Sequence, residues 1–292
     1  TDSTTEIVKD YPGVTLLKLE DDAINSYKKK AIEKGIAAAC GDLIITTDAD
    51  CMPPSTWLQT LVSFKQQTNA AFIVAPVVFD CNAEIVQVFQ AMDFMVLQGI
   101  TGASVYKNVH SMCNGANLAY ERKLFYEVNG FTGIDHIASG DDMLLMHKIA
   151  KEHPGRIQYL KSTDALVSTK PMESWSSFFN QRIRWASKAM HYDDKRILWV
   201  LLLVYIFNLF FLVLLIAGFW NHFYWIYFVI AWVLKTAVEF PFFYSIAGFF
   251  GKQWAIKWFF FFQPVHFFIC IQGLLPERMK RLVRFITKLL KL

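Results

Sequence analysis

Residues 43–50 read Leu43-Ile44-Ile45-Thr46-Thr47-Asp48-Ala49-Asp50, an apolar run that stops at two carboxylates. Leu43–Thr47 has the length and character of a buried strand. Side chains alternate along an extended chain, so Asp48 and Asp50 point to one side and Ala49 to the other. Working outward, Val14–Leu19 reads as a strand, Asn25–Cys40 as a helix, Ser55–Gln67 as a helix after Pro53-Pro54, and Ala71–Phe79 as another strand. Helices alternating with strands are the pattern of βαβ units, which predicts an α/β domain with a mostly parallel sheet covered on both faces. Further on come a helix around Ala83–Gln98, a turn-rich Asn114-Gly115-Ala116-Asn117 with a helix after it, and a helix over Asp141–Lys151. No repeat or low-complexity linker interrupts this text, so residues 1–172 are expected to form one domain. The chain opens on a helix-like segment with no strand ahead of it, and we expect a first strand to precede Thr1. Ligands of open α/β sheets sit beyond the carboxyl ends of the strands, which directs attention to residues that follow apolar runs.

The chain has 292 residues, 54% of them apolar and 16% aromatic, which excludes disorder. It also excludes a purely soluble protein, because residues 197–275 contain only four charges, Lys235, Glu239, Lys252 and Lys257. Ile197–Phe219 is 23 residues without a charge, about 34 Å as a helix and long enough to cross a bilayer. His222–Phe250 reads as a second span, with Lys235 and Glu239 at i, i+4 on one helix face. Trp254–Leu275 is a third apolar segment that either crosses or lies in the interface. Residues 276–292 form a basic amphipathic tail, with Lys280, Arg281, Arg284, Lys288 and Lys291 on one arc and Leu282, Phe285, Ile286 and Leu289 on the other, suited to anionic membrane lipid. From Glu277 onward six Lys/Arg face one Glu, so of the net +4 the body before the tail contributes about −1, and no nucleic-acid partner is expected. Five cysteines without a CxxC pair point to a reduced compartment and no zinc site.

Three groups of residues carry possible chemistry, each with a structural alternative. Asp48 and Asp50 repel each other unless a cation lies beside them; a hard divalent ion would complete its shell with phosphate oxygens and water. They equally suit a strand-ending turn. Asp141-Asp142 opens an apolar helix, where carboxylates are favoured by the free amides of the first turn, and one of the pair could instead be a general base. Gln181, Arg184 and Trp185 in Gln181-Arg182-Ile183-Arg184-Trp185 fall at i, i+3, i+4 on one face of a helix over residues 173–196. That face suits a diphosphate beside a sugar ring, or else an interfacial helix ahead of a membrane span. The cluster Arg182, Arg184, Lys188, Lys195 and Arg196 before the first span puts the α/β domain on the cytoplasmic side of an integral membrane protein.

Taken together, Asp-Ala-Asp after an apolar strand, an acidic pair some ninety residues on and Gln-x-x-Arg-Trp before membrane spans resemble the membrane-bound family 2 glycosyltransferases, the group of cellulose, chitin and hyaluronan synthases. The resemblance covers residues 1 to about 196. It implies a nucleotide-diphospho-sugar transferase (GT-A-like) domain that moves a sugar from a nucleotide-sugar donor to an acceptor hydroxyl with inversion. It further implies Mg²⁺ or Mn²⁺ held mainly by Asp50, with Asp48 nearer the nucleotide, and Asp142 as catalytic base with Asp141 supporting it. Asp-Asp stands here where Glu-Asp is usual. Thr1-Asp2-Ser3-Thr4 resembles the end of the family's nucleotide-binding segment, giving Asp2 a donor role. Lys28 and Lys29 sit where a Gly-Lys approaches the diphosphate, with Tyr27 in the glycine's place and Lys29 as the expected ligand. Gln181 and Arg184 would engage the diphosphate, Trp185 the acceptor, and Asn114 and Gly115 would line the acceptor side.

With so few spans, a lipid or lipid-linked acceptor is expected, a processive polysaccharide synthase being the alternative. An inactive membrane scaffold or transporter subunit is the reading from a different class.

Overall fold

The computed structural model describes residues 3–19, 26–82, 84–110, 112–137, 139–186 and 195–265. In chain order its elements are α1 (Thr4–Lys9), α2 (Tyr27–Ala38), β1 (Leu43–Thr46), α3 (Trp57–Gln67), β2 (Phe72–Val74), β3 (Val77–Phe79) and α4 (Ile85–Tyr106). They continue with β4 (Leu118–Glu121), α5 (Arg122–Glu127), α6 (Met143–Glu152), β5 (Ile157–Tyr159), β6 (Val167–Thr169), α7 (Trp175–Ala186), α8 (Lys195–Ala217) and α9 (Phe223–Phe249). The chain divides into two compact units. The first holds Thr1–Ala49, Pro54–Pro76 and Ser104–Ala165, the second Asp50–Pro53, Val77–Ala103 and Leu166–Leu292.

The first unit is built on a four-stranded sheet in the order β1-β4-β2-β5. β4 runs antiparallel to both β1 and β2, and β2 runs parallel to β5. The α/β class is therefore as expected, but in this sheet the expected predominance of parallel pairs gives way to a mixed arrangement. The reason lies in the turn at Asn114–Asn117. It leads into a strand before any helix, and that strand lies between β1 and β2 with Ala119 opposite both Ile45 and Ile73. The interior strands are apolar throughout, as strands covered on both faces must be. Phe72, Ile73, Val74, Ala119 and Tyr120 are all buried, and the Phe72 and Tyr120 rings stack at 5.6 Å.

A single buried side chain fixes the turn. Asn117 donates to the carbonyls of Pro76 and Ala165, at 2.7 Å each, and its Oδ1 accepts from Trp57 Nε1 at 2.9 Å. All three partners belong to the first unit, so α3, the end of β2 and the segment before β6 are tied to the start of β4.

The apolar stretch expected as one strand over 71–79 is broken at Ala75-Pro76 into β2 and β3. Proline has no amide to donate to a ladder, and Ala75 turns its own N–H to the Asn117 carbonyl at 3.1 Å. Val14–Leu19 is irregular and mostly exposed rather than a strand, despite its apolar residues.

In the second unit β3 and β6 pair in parallel, Val77 opposite Val167 and Phe79 opposite Thr169. Its core packs Phe89, Met92 and Met95 of α4 against Phe178 of α7, Phe243 and Ala247 of α9, and Phe259 and Phe262 beyond it. Gly99 lets α4 approach α9: a Cβ there would lie 2.8 Å from Ile246 and from the Phe242 ring.

Two stretches, Trp199–Ala217 in α8 and Phe223–Phe249 in α9, are long and apolar enough to cross a membrane. The expected Lys235–Glu239 pair forms at 2.6 Å, and Gln263 closes it by accepting from Lys235 at 2.6 Å and donating to Glu239 at 2.9 Å. After a 3-10 turn at Gln253–Trp258 the chain is helical over 259–265. The rest of the third apolar segment and the basic tail lie outside the described residues.

Candidate active site

The first unit brings together residues from α2, β1, the Asn114–Asn117 turn and the start of α6. β1 delivers Asp48 just beyond its last residue. Successive helix positions differ by about 100°, so Lys28 and Lys29 of α2 take different directions. Lys28 Nζ reaches Asp48 Oδ1 at 2.7 Å and Asp141 Oδ2 at 3.4 Å. Burial works against the Lys28 ammonium, but the carboxylates of Asp141, Asp48 and Asp142 outweigh it and hold its pKa above the ordinary lysine value. The same acidic environment acts on Tyr120. Burial first, and Asp141 second, push its hydroxyl above the usual tyrosine range, so it stays neutral at physiological pH.

Asp142 serves the helix and the cluster at once. Its Oδ1 accepts the amide of Met143 at 2.7 Å, capping α6, and its Oδ2 accepts the amide of Gly115 at 3.1 Å. Gly115 is in turn held by Thr46 Oγ1, which donates to its carbonyl at 2.9 Å. Gly115 has room for a methyl in ordinary contact with the cluster. A Cβ would sit 3.4 Å from Asp141 Oδ2 and 3.6 Å from both Asp142 Cβ and Lys28 Nζ. Asn114 uses its side chain within the turn, accepting from the Ala116 amide at 3.0 Å. The capping and functional readings of the acidic pair are thus compatible: one carboxylate of the pair caps α6, and the other lies beside a lysine that also holds the β1 aspartate.

Lys29, expected at the diphosphate, is instead buried, at 2% exposure. Its Nζ donates to the carbonyls of Ile134 and Ile137 at 2.6 Å each and of Ser139 at 3.2 Å. Lys28 is the lysine that reaches the acidic groups. Asp2 lies outside the described residues.

The remaining expected residues belong to the second unit. Asp50 is exposed and accepts from Cys51 Sγ at 3.6 Å. On α7, Arg184 is exposed and Gln181 and Trp185 are half-buried. Arg182, one of the basic residues before the first span, turns inward. Its guanidinium pairs with Asp93 of α4 and lies over the rings of Trp185, at 4.8 Å, and Phe178, at 5.2 Å. The Phe94 ring, next to Asp93, lies 6.2 Å from Trp185. Asp93 was not among the expected residues, although a signal for it existed: it is the one charge in a 22-residue apolar helix, and a charge there needs a partner.

In the first unit Asp48 offers the hard carboxylate oxygen that Mg²⁺ or Mn²⁺ prefers, and it draws the Lys28 ammonium to 2.7 Å. Asp50, in the second unit, is a carboxylate of the same kind, so the donor chemistry of the two residues suits such an ion.

Among solved structures, the chain is similar to the crystal structure of TarS from S. aureus, at 15% identity and a TM-score of 0.43, over 66% of this chain and 33% of that one. It is likewise similar to the crystal structure of TarS residues 1–349, at 17% identity and a TM-score of 0.42, over 66% of this chain and 54% of that one. The chain therefore spans between a third and about half of the length of these two. No curated protein matches it. Residues 3–280 match the family model described as glycosyl transferase family 21, nearly the whole chain from before α1 into the basic tail. The protein with the Asp48–Lys28–Asp141 cluster and the two long apolar helices belongs to glycosyl transferase family 21.

Proposed function

We infer that the protein transfers a sugar from a nucleotide diphosphate sugar to a hydroxyl of a lipid or lipid-linked acceptor, with inversion, at the cytoplasmic face of a membrane. One observation carries this reading: a single ammonium, Lys28 Nζ, lies within 3.4 Å of carboxylates from β1 and from the entrance to α6, positions 93 residues apart in the chain. An arrangement that only ended a strand and only capped a helix would have no need to join the two.

In the proposed reaction the acceptor oxygen attacks the anomeric carbon as the bond from that carbon to the diphosphate breaks, and the acceptor proton passes to Asp142. Gly115 and Met143 hold that carboxylate by one amide on each oxygen, which fixes its direction. Asp141 and Lys28 hold the surrounding charge. Asp48 and Asp50 are the residues that would hold Mg²⁺ or Mn²⁺, which when bound neutralises charge gathering on the departing diphosphate. Lys28 adds positive charge for the same anion; by the family resemblance Arg184 and Gln181 would also engage it, and Trp185 would offer apolar surface to the acceptor. A single in-line displacement needs one base and no covalent sugar intermediate, unlike a retaining glycosidase with its second carboxylate as nucleophile. The basic residues ahead of α8 favour the cytoplasmic side, where an excess of Lys/Arg is found.

The test is nucleotide release by the full chain in membranes from a panel of nucleotide-sugar donors, with and without Mn²⁺, alongside Asp142→Asn. Donor-specific, Mn²⁺-stimulated release that yields a glycosylated lipid and vanishes in the variant is expected. Release equal in the variant and the wild type overturns the assignment of the base. A polymeric product would replace the lipid acceptor with a growing glycan.

A further inference from the structure

We propose that Lys29 is a positioning residue for the acidic pair: it acts through the backbone of the loop that delivers Asp141 and Asp142, without touching the donor. This rests on the role proposed above for Asp142. The loop between α5 and α6 has little regular structure over residues 128–137, yet the chain presents Asp141 to Lys28 at 3.4 Å and Asp142 to the Gly115 amide at 3.1 Å. Two lysines hold it by its carbonyls. At the near end Lys148 of α6 donates to Gly130 at 2.6 Å and Thr132 at 2.9 Å. At the far end the buried Lys29 donates to Ile134, Ile137 and Ser139. Ser139 is two residues from Asp141, and the chain between them passes through Gly140 at φ +82°, a left-handed conformation that glycine adopts freely.

A buried ammonium is costly unless its donors are satisfied, so these carbonyls must converge on Nζ for Lys29 to be tolerated there. The convergence in turn sets the path of the loop. Because Lys28 and Lys29 are adjacent on α2, one rigid element holds both the carboxylates, by charge, and the loop that carries two of them, by its backbone. A shift of α2 or loss of the Lys29 donors would displace the acidic pair relative to Asp48.

The experiment compares Lys29→Met, Lys148→Met and Asp142→Asn in the full chain, measuring donor affinity by binding, kcat for transfer and the pH dependence of kcat. Lys29→Met is expected to lower kcat about a hundredfold, the scale of a misplacement near 1 Å. Its donor Kd should stay within about twofold and the acidic limb of its pH profile should move. A smaller active fraction alone would leave that limb where it is. Lys148→Met, altered at a part-exposed residue, should show the same signature at about tenfold. Weaker donor binding with kcat intact in Lys29→Met overturns the proposal in favour of a diphosphate ligand. Should Lys29→Met fail to fold, unchanged kcat and pH profile in Lys148→Met overturn it. An inactive Asp142→Asn beside a fully active Lys29→Met overturns this proposal alone, whereas a fully active Asp142→Asn overturns the base assignment and this proposal with it.

Discussion

The amide of Gly115 donates to Asp142 Oδ2 at 3.1 Å, joining the turn that starts β4 to the residue that caps α6. Because the same carboxylate also accepts from Met143 on its other oxygen, its direction is set from two sides. A carboxylate held in this way has little orientational freedom left to lose.

Replacing Asp142 with Asn tests the base and keeps one acceptor for the cap, since Asn caps helices as well as Asp does, while its amide nitrogen cannot accept from the Gly115 amide and that bond is lost. Transfer should fall by about 10²–10⁴-fold, the usual contribution of a general base. The melting temperature should fall modestly, by the loss of one hydrogen bond, while donor affinity should remain close to wild type. Calorimetry and donor titration on the same preparation separate these effects.

Gly115→Ala probes the space at the turn. The added methyl would lie 3.4 Å from Asp141 Oδ2 and 3.6 Å from Lys28 Nζ. These are ordinary van der Waals contacts, so the protein should fold with the Asp141–Lys28 contact kept. Transfer should retain kcat within about twofold; a loss of about tenfold would show that the turn tolerates no added side chain.

The Lys28 ammonium carries a sign that can be checked. Its pKa is raised on folding from the ordinary 10.5, so its contribution to stability is complete below that pH and is lost as pH rises through the folded value. The difference in stability between wild type and Lys28→Met should therefore be flat from pH 7 to 10 and shrink only in stronger alkali. Guanidinium denaturation across that range reads it out. Half of the Lys28 side chain is exposed, and the difference should be modest throughout.

Asp93 and Arg182 should be strongly coupled. Both side chains are largely buried, and removing one takes a close opposite charge away from the other, a loss of about 3–5 kcal/mol. Asp93→Asn and Arg182→Met alone should each destabilise the protein more than the double variant would suggest by simple addition. Arg184→Ala, at an exposed position of the same helix, should leave stability within about 0.5 kcal/mol.

Much of this architecture was legible in the sequence. The apolar run ending at Asp48, the periodicity of α3, α4 and α6 and the long uncharged stretches of α8 and α9 are local signals, and local signals survive into the fold. What escaped was set by distant pairing. Nothing between residues 114 and 121 announces that β4 will run antiparallel between two strands from other parts of the chain. Val14–Leu19 has apolar residues enough for a strand, but a strand also needs a neighbour, which no local pattern specifies. Lys28 and Lys29 differ by one position, and only the rotational phase of α2 against the rest of the unit decides which faces the carboxylates. The motifs pointed to glycosyl transfer through their likeness to family 2, whereas the family that matches is 21. Short acidic and basic motifs report a shared chemistry more readily than a lineage.

Asn117 has a wider consequence. Two donors and one acceptor on a short side chain meet two carbonyls and an indole in a place closed to water. Aspartate lacks the donors, glutamine is a methylene too long, and leucine of similar bulk answers none of the three. The genetic alphabet holds no synonym for that word, so drift at this codon should meet a harder barrier than at most of the reactive positions around it.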